Sequence, residues 1–210
     1  MRLLLLGATG LVGSHVLDLA VADERIEEVI APTRRPLPDQ PGLTAPQFDF
    51  DHLPADADWW QADAVLCALG TTMKKAGSRE AFRRVDYDYP LQAARLARRH
   101  GAPTFVLNSA MGADPDSRFF YNRVKGELER DLKEVGFDSL TFVRPGLIGG
   151  EREEFRLGEH LTTLALGAIG PVLPKKWRIN PADHIALAMI DAAVVARSGV
   201  GTVDSEALRR

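Results

Sequence analysis

The sequence is poor in cysteine and contains no long apolar run, and both absences narrow what the protein can be. Its 210 residues include one cysteine, Cys67, which has no partner for an intrachain disulfide, as is usual in a reducing compartment. The surrounding run AVLCALG favours a buried strand thiol over a nucleophile, because an apolar setting suppresses the thiolate. No segment approaches the roughly 20 apolar residues of a transmembrane helix, and the four leucines of MRLLLLGATG are too few for a secretory signal. We therefore expect a cytoplasmic protein without a membrane partner.

The sequence also lacks a strong charge of either sign. The formal net charge is −3, and no dense block of lysine and arginine occurs. In the basic stretch RRVDYDYPLQAARLARRH, the charges alternate with apolar positions at helical spacing, which indicates a solvated helix face. These features argue against a nucleic-acid partner. The histidines show no metal-ligand spacing, so we predict no metal site.

Short apolar runs alternate along the chain with amphipathic helical stretches. Strands are predicted at RLLLL, EEVIAPT, PQFDF, DAVLCAL, TFVLNS and SLTFVRP, with GVGTVD as a last edge strand. This alternation predicts an α/β fold, a doubly wound parallel sheet (a Rossmann fold). We expect one domain over residues 1–210, in which residues 146–180 form a small C-terminal substrate lobe.

Capping residues predict where two of the helices begin. Ser78 is the candidate N-cap of a long helix that ends near His100, where Gly101 supplies a stop. Asn180 is the candidate cap of a helix that has Pro181 at its first position. Between these, the stretch EFRLGEHLTTLALGAIG reads as helical.

A glycine-rich turn follows the first strand and opens a helix. Gly7, Gly10 and Gly13 stand in GATGLVG, whose spacing differs by one residue from the standard Gly-x-Gly-x-x-Gly. A tight turn, a backbone close to a pyrophosphate and close helix–strand packing each require the absence of a Cβ. The free N–H groups and dipole of the helix would favour the phosphates. We predict a dinucleotide site that also includes Thr9 and Leu11; the alternative is an ordinary glycine-rich turn.

The end of the second strand bears on the choice of cofactor. An NAD enzyme usually places an acid there for the ribose 2′-hydroxyl. Here the strand ends with Thr33, Arg34 and Arg35. Guanidinium groups suit a 2′-phosphate, so NADP(H) is preferred and NAD(H) remains possible; two exposed loop arginines are the alternative. Asp49 is a candidate partner for the adenine amine; an exposed aspartate in a turn is the alternative.

Three residues in the second half could carry out a carbonyl reduction. Ser109 ends the fifth strand, and Tyr121 and Lys125 lie four residues apart in YNRVKGELE, so they share a helix face. The pKa of free tyrosine is near 10, and a nearby ammonium favours the phenolate, which suits proton transfer nearer neutrality. Ser109 could hold the substrate oxygen. An aromatic ring and a solvated amine on an amphipathic helix are the alternative.

The motifs GATGLVG, NSAMGAD and YNRVKGELE resemble those of the atypical short-chain dehydrogenase/reductases. Two longer stretches, LGTTMKKAGSREAFRRVDYDYPLQAARLARRHGA and FVRPGLIGGERE, are similar to the group around the human Tat-interacting protein and its bacterial relatives. The resemblance covers nearly the whole chain. It implies an NADPH-binding Rossmann fold with Ser109, Tyr121 and Lys125 as the catalytic set. It also implies cofactor contacts from Lys125 and from Leu69, Gly70, Thr71, Thr72, Pro145 and Gly146.

One position departs from the pattern of that family. Many members use an Asn, in the helix after the fourth strand, for a water-linked proton relay. Asp86 falls at about this place here, so the relay is in doubt. Whether Asp86 replaces the Asn is left open.

Three functions compete at this stage. The leading one is an NADPH-dependent oxidoreductase acting on a small carbonyl compound. The alternative is a non-enzymatic NADP(H)-binding redox sensor or regulator that acts through a protein partner. A nucleotide-sugar epimerase ranks lower because it resembles longer chains with a larger C-terminal domain. Substrate, direction of reaction and oligomeric state cannot be read from the residues.

Overall fold

A computed structural model describes residues 1–149 and 179–209. Seven strands form one parallel sheet in the order β3-β2-β1-β4-β5-β6-β9. The strands are β1 (Arg2–Leu6), β2 (Glu28–Ile30), β3 (Leu43–Thr44), β4 (Ala64–Cys67), β5 (Thr104–Asn108), β6 (Ser139–Arg144) and β9 (Gly199–Asp204). A separate parallel pair joins β7 (Ile148–Gly149) to β8 (Asn180–Pro181).

Helices cover both faces of the sheet. They are α1 (Leu11–Val21), α2 (Met73–Ala76), α3 (Arg79–Arg83), α4 (Tyr89–Arg99), α5 (Phe120–Lys133) and α6 (Ala182–Val195). Successive side chains of a strand point to opposite faces. Leu3 and Leu5 of β1 therefore pack with α1 and α6, whereas Leu4 and Leu6 pack with α4 and α5. The predicted doubly wound fold is confirmed.

The strand order reverses between β1 and β4. The chain runs outward from β1 to β2 and β3, then returns across the sheet to β4 and β5. The loops that follow β1 and β4 therefore diverge at the carboxyl end of the sheet. In open α/β sheets this switch point is where ligands bind.

The predicted long helix is present, but one of its turns is π-helical. Ser78 caps it as expected, its hydroxyl accepting the Ala81 N–H at 3.0 Å. The turn Arg84–Asp88, between α3 and α4, is wider than an α-helical turn. Such turns are rare and frequently lie at functional sites.

Two local predictions were wrong. The third strand is Leu43–Thr44 instead of PQFDF, in which Gln47 alone forms a bridge, to Thr33. Asn180 does not cap α6: Pro181 is the N-cap instead of the first helical residue, and the side chain of Asn180 is fully buried and bonded elsewhere. It accepts the N–H of Gly146 and the hydroxyl of Ser205, both at 2.7 Å, and donates to the Ser205 carbonyl at 2.8 Å.

Most of the predicted substrate lobe, with the predicted helix in EFRLGEHLTTLALGAIG, lies outside the described residues. The single domain and its lobe stay predictions. Within residues 1–149 and 179–209, no helix has both the length and the apolar character to cross a membrane.

Candidate active site

The glycine turn leads from β1 into the N-terminus of α1. The Gly10 N–H donates to the Gly7 carbonyl at 2.9 Å, which closes the turn, and Gly10 is the N-cap of α1. No side chain caps this helix, and its first turn carries no acidic residue. Its first N–H groups are therefore available to an anion, as a pyrophosphate requires. Thr9 is exposed and Leu11 half-buried beside the turn.

Two glycines allow the turn to pack as tightly as it does. Gly7 has φ +91°, and a Cβ there would lie 2.8 Å from the backbone carbon of Ala68, just after β4. A Cβ on Gly13 would lie 2.0 Å from the Gly7 carbonyl oxygen. Any side chain at either position would fill the cradle between the turn and the neighbouring loop. The geometry therefore fits a dinucleotide pyrophosphate.

The segment after β2 would face the ribose of a nucleotide in this cradle. Arg34 and Arg35 are exposed, whereas Thr33 is buried and its hydroxyl donates to the Arg35 carbonyl at 2.6 Å. Asp49 is exposed nearby, and its pKa is lowered first by the Asp51 N–H and further by charges that include Arg34. The arginines thus stand in solvent, on a loop whose shape Thr33 helps to hold.

Lys125 is buried against Asp86. The Nζ of Lys125 lies 2.8 Å from Oδ1 of Asp86, and the two side chains are 4% and 1% exposed. The other carboxylate oxygen of Asp86 accepts the Thr71 N–H at 2.8 Å. Burial alone lowers the pKa of Lys125, but interactions with Asp86 and Tyr121 more than offset it, so this pKa is raised. Lys125 is therefore a held ammonium group and not a solvated amine.

Tyr121 lies one turn before Lys125 on α5. The two residues share a helix face as predicted, and the Tyr121 side chain is partly exposed, with its ring 5.8 Å from that of Phe82. Phe82 is fully buried and supports one side of the ring. The phenol can thus be reached from outside while its neighbour Lys125 is enclosed.

Ser109 is buried and bonded to Glu129. Its hydroxyl donates to Oε1 of Glu129 at 2.5 Å, and Arg144 donates to both oxygens of the same carboxylate. Glu129 follows Lys125 by one turn, so Tyr121, Lys125 and Glu129 form one stripe along α5. In this arrangement the Ser109 proton is directed at Glu129, and a contact with a substrate oxygen stays a prediction.

Replacing Arg144 with Met should cost about 3 kcal/mol of unfolding free energy, measured by denaturant titration. It would leave the buried Glu129 carboxylate with the Ser109 hydroxyl, and breaking a buried ion pair costs about 3–5 kcal/mol. The matched control is Arg98→Met. Arg98 is equally exposed, but its partner Asp138 is in solvent, so its loss should cost about 1 kcal/mol or less. Equal losses would contradict the structural role of the Glu129 pair.

The remaining predicted cofactor residues lie in two loops at the same end of the sheet. Leu69, Gly70, Thr71 and Thr72 follow β4, and the Thr72 hydroxyl caps α2 by accepting the Lys75 N–H at 3.2 Å. After β6, the buried Pro145 accepts the Met111 N–H at 2.8 Å, and Gly146 donates to Asn180. Both loops are thus held by hydrogen bonds at the carboxyl end of the sheet, but their cofactor contacts stay predictions.

Sequence reasoning missed the residues that hold this site together. Glu129 and Arg144 were not singled out, although Glu129 continues the spacing of Tyr121 and Lys125 by four residues, and Asn180 was predicted only as a helix cap. That spacing was a readable signal. Nothing local marks Arg144 or Asn180, because their partners are distant in the chain. Cys67 is fully buried as predicted, and burial raises its pKa to about 12.

Comparison with known proteins indicates an NAD(P)H-binding family. A family model described as NAD(P)H-binding matches residues 7–169. The solved structure of MoeE5 in complex with UDP-glucose and NAD superposes with a TM-score of 0.74 at 16% identity, covering 96% of this chain and 75% of that one. At such identity the likeness concerns the fold.

The curated relatives overturn one expectation. Protein fmp52, mitochondrial, of Emericella nidulans is 35% identical over 215 residues, covering 96% of this chain and 91% of its own length. Its name points away from the cytoplasmic location predicted above, which is thereby contradicted. Neither a single cysteine nor the absence of a long apolar run distinguishes the cytoplasm from another compartment that keeps thiols reduced.

A second relative bears on the family itself. Protein HTATIP2 of Rattus norvegicus is 36% identical over 203 residues, covering 93% of this chain and 82% of its own length. The chain belongs to the NAD(P)H-binding, atypical short-chain dehydrogenase/reductase family, in the group that includes Protein HTATIP2.

Proposed function

We propose that the protein is an NADPH-dependent oxidoreductase that reduces a small carbonyl compound. The observation that carries the proposal is the placement of Lys125. Its ammonium is enclosed, one helical turn from the accessible phenol of Tyr121, and lies beside the loop that follows β4 at the switch point. A purely structural helix face would not require a buried lysine next to a reachable tyrosine.

The reaction would convert the carbonyl compound to an alcohol. NADPH, when bound, would supply the hydride, and with it the two electrons, that this reduction requires. Tyr121 gives its phenolic proton to the carbonyl oxygen, and water restores that proton. The Lys125 ammonium favours the negative charge left on the Tyr121 oxygen. The turn around Gly7, Gly10 and Gly13 would hold the pyrophosphate, and the loops after β4 and β6 would flank the nicotinamide half.

Ser109 has a narrower part in this proposal than the family pattern implies. Because its hydroxyl donates to Glu129, it supports the stripe on α5 that carries Tyr121 and Lys125. A direct bond from Ser109 to the substrate oxygen would require that hydroxyl to turn away from Glu129. We therefore assign proton donation to Tyr121 and a supporting position to Ser109.

We expect the cofactor to be NADPH, since the exposed Arg34 and Arg35 follow β2, where this fold usually binds the ribose of the cofactor. Replacing both with Ala should weaken NADPH binding roughly 10- to 100-fold and leave NADH binding within a few-fold. A charge-assisted contact contributes about 1.5–3 kcal/mol. Calorimetric titration of each cofactor measures the two effects. Arg197→Ala is the control, because Arg197 is an equally exposed arginine at the other edge of the sheet. An unchanged preference would refute the assignment.

A second function, that of a regulator acting through a protein partner, is favoured by exposed apolar side chains at the same end of the sheet. Met73 follows β4, Phe119 follows β5, and Leu147 and Ile148 follow β6; Phe119 is 76% exposed. Exposed apolar groups of this kind are found where a partner docks. An NADP(H)-binding regulator, whose bound partner covers the site, would use them.

Turnover separates the two functions. If the protein is an oxidoreductase, it should oxidise NADPH in the presence of aldehydes or ketones with apolar bodies, which these side chains could contact. Cofactor binding without any such oxidation would favour the regulator. The epimerase remains the weakest candidate, because the likeness to MoeE5, at 16% identity, concerns the fold alone.

A further inference from the structure

The ion pair between Asp86 and Lys125 is buried, and the proposed reaction does not by itself explain that burial. Both side chains are almost completely enclosed, with Nζ and Oδ1 2.8 Å apart. Taking two charges out of water is costly, and the attraction between them offsets that cost only when the geometry is good. A lysine needed merely for its charge near Tyr121 could have remained in solvent.

The π-helical turn places Asp86 at this position. The turn Arg84–Asp88 packs against α5, and Asp86 is fully buried there while its neighbours Val85 and Tyr87 are only partly so. A wider turn rotates the following residues about the helix axis relative to an uninterrupted α-helix. Asp86 thus reaches the interior between α5 and the loop after β4.

Both oxygens of Asp86 are used, and they bond to different elements. Oδ1 faces Lys125 on α5, and Oδ2 accepts the Thr71 N–H in the loop after β4. That loop passes close to both groups. A Cβ on Gly70 would lie 3.4 Å from Asp86 Oδ1 and 3.9 Å from Lys125 Nζ. One carboxylate therefore connects the helix of the proton donor to the loop on the cofactor side.

We infer that Asp86 is a positioning residue, which holds the Lys125 ammonium beside Tyr121 and fixes the loop at Thr71 in the same arrangement. The role of Asp86 in catalysis rests on the proposed function. The contacts that Asp86 makes with Lys125 and Thr71 do not depend on it. Without Asp86, Lys125 would be a buried cation lacking a counter-ion. It would then lose its proton or leave its place.

The charged and titratable groups around Lys125 are few. Asp86 lies on the π turn, Tyr121 on α5 itself and Cys67 at the end of β4. Burial keeps the Cys67 thiol protonated at neutral pH, since its pKa is raised to about 12. Glu129, the next acid along the stripe, is bonded to Ser109 and Arg144. Among the described residues, Asp86 is thus the carboxylate that balances Lys125.

These neighbours determine how the stability of the protein changes with pH. In the parent protein the pKa of Lys125 is raised, so its contribution to stability is present below the unfolded value, about 10.4, and is lost as pH rises through the folded pKa. In Asp86→Asn, no carboxylate offsets the effect of burial on Lys125, so the pKa of Lys125 in the folded protein falls below its value in the unfolded chain. Stability of the variant then rises with pH between the two values, so its deficit against the parent shrinks.

The test compares Asp86→Asn with the parent by denaturant unfolding from about pH 7 to about pH 10. We expect the deficit in the unfolding midpoint to be largest near pH 7 and to shrink steadily with rising pH. The control is Asp138→Asn, the same chemical change at an exposed acid paired with Arg98, which should show a small deficit that does not vary over this range. A deficit in Asp86→Asn that is constant with pH would overturn the inference, because a purely structural role predicts that result.

A second variant keeps the test decisive if Asp86→Asn does not fold. Adding Lys125→Met removes the unpaired ammonium, so the double variant should be more stable near pH 7 than Asp86→Asn alone. Asp86→Glu keeps the carboxylate and should recover part of the stability. A double variant no more stable than Asp86→Asn would contradict the ion-pair account.

These readouts do not depend on turnover, so the inference and the proposed function can fail separately. If the parent reduces no carbonyl compound, the function is refuted while the unfolding data still decide the role of Asp86. If the parent is active, the basic side of its pH–rate profile should move to lower pH in Asp86→Asn, because removing a negative charge eases the deprotonation of its neighbours. An unmoved profile would contradict the proposed influence on Lys125 and Tyr121.

Discussion

Replacing Tyr121 with Phe is expected to lower kcat/KM for carbonyl reduction by about 10²–10⁴-fold, the usual contribution of a positioned proton donor. In the proposed reaction the phenol hydroxyl gives its proton to the substrate oxygen, and the substitution removes that hydroxyl but keeps the ring that packs on Phe82. The dissociation constant of NADPH, measured by calorimetry, should stay within a few-fold of the parent value. The loss would therefore lie in the chemical step.

The matched control removes a phenol hydroxyl elsewhere. Tyr87 donates its hydroxyl to Asp131 on α5, ten positions after Tyr121, so Tyr87→Phe should lose a hydrogen bond but keep turnover. The two variants make the same chemical change. Equal rates in Tyr121→Phe and the parent would exclude Tyr121 from proton transfer. Equal losses in both variants would indicate a general effect of disturbing α5.

Replacing Gly13 with Ala is expected to weaken the dinucleotide site and the fold together. The added Cβ would lie 2.0 Å from the Gly7 carbonyl oxygen; that oxygen belongs to the backbone and the Cβ is fixed rigidly to it, so the turn itself must move. Overpacking of this kind typically costs about 1–3 kcal/mol of unfolding free energy. Because the same turn presents the N–H groups of α1, NADPH affinity should fall by more than about tenfold.

Gly201→Ala provides the comparison for that variant. A Cβ on Gly201 would meet Thr141 Oγ1 at 3.6 Å, an ordinary contact on the edge strand β9. This variant should unfold and bind NADPH like the parent. NADPH affinity of Gly13→Ala equal to that of the parent, measured on folded protein, would show that the turn does not hold the cofactor.

The parts of the fold that were predictable depend on local patterns. The leucines of β1 alternate between the two cores, the glycines of the first turn need the space that a Cβ would fill, and the four-residue spacing of Tyr121 and Lys125 places them on one face. Each of these features depends on residues close together in the chain. A sequence pattern can therefore reveal them.

What escaped prediction depends on contacts between distant residues. Asn is a residue type that often caps helices. However, the side-chain amide of Asn180 is hydrogen-bonded to Gly146 and Ser205, and these bonds outweigh the local preference for capping. The bond from Ser109 to Glu129 spans 20 positions. These pairings become visible only when strands and helices are brought together in space.

The placement of Asp86 shows a subtler limit. The sequence located it near the relay position of the family but could not say what it contacts. The answer depends on a single π-helical turn, which changes the face that each following residue presents. Helical periodicity assumes an uninterrupted α-helix and gives no signal for such a turn.

The most direct test of the account is transfer of deuterium from NADPH labelled at nicotinamide C4 to a carbonyl compound. The purified protein would be mixed with the labelled cofactor and a panel of aldehydes and ketones with apolar bodies, and the products analysed by mass spectrometry. We predict an alcohol with deuterium on its carbinol carbon for the parent, and at least about 100-fold less in Tyr121→Phe. If the protein binds NADPH but leaves all the deuterium on the cofactor across the panel, the proposed reaction is contradicted and the regulator becomes the better account.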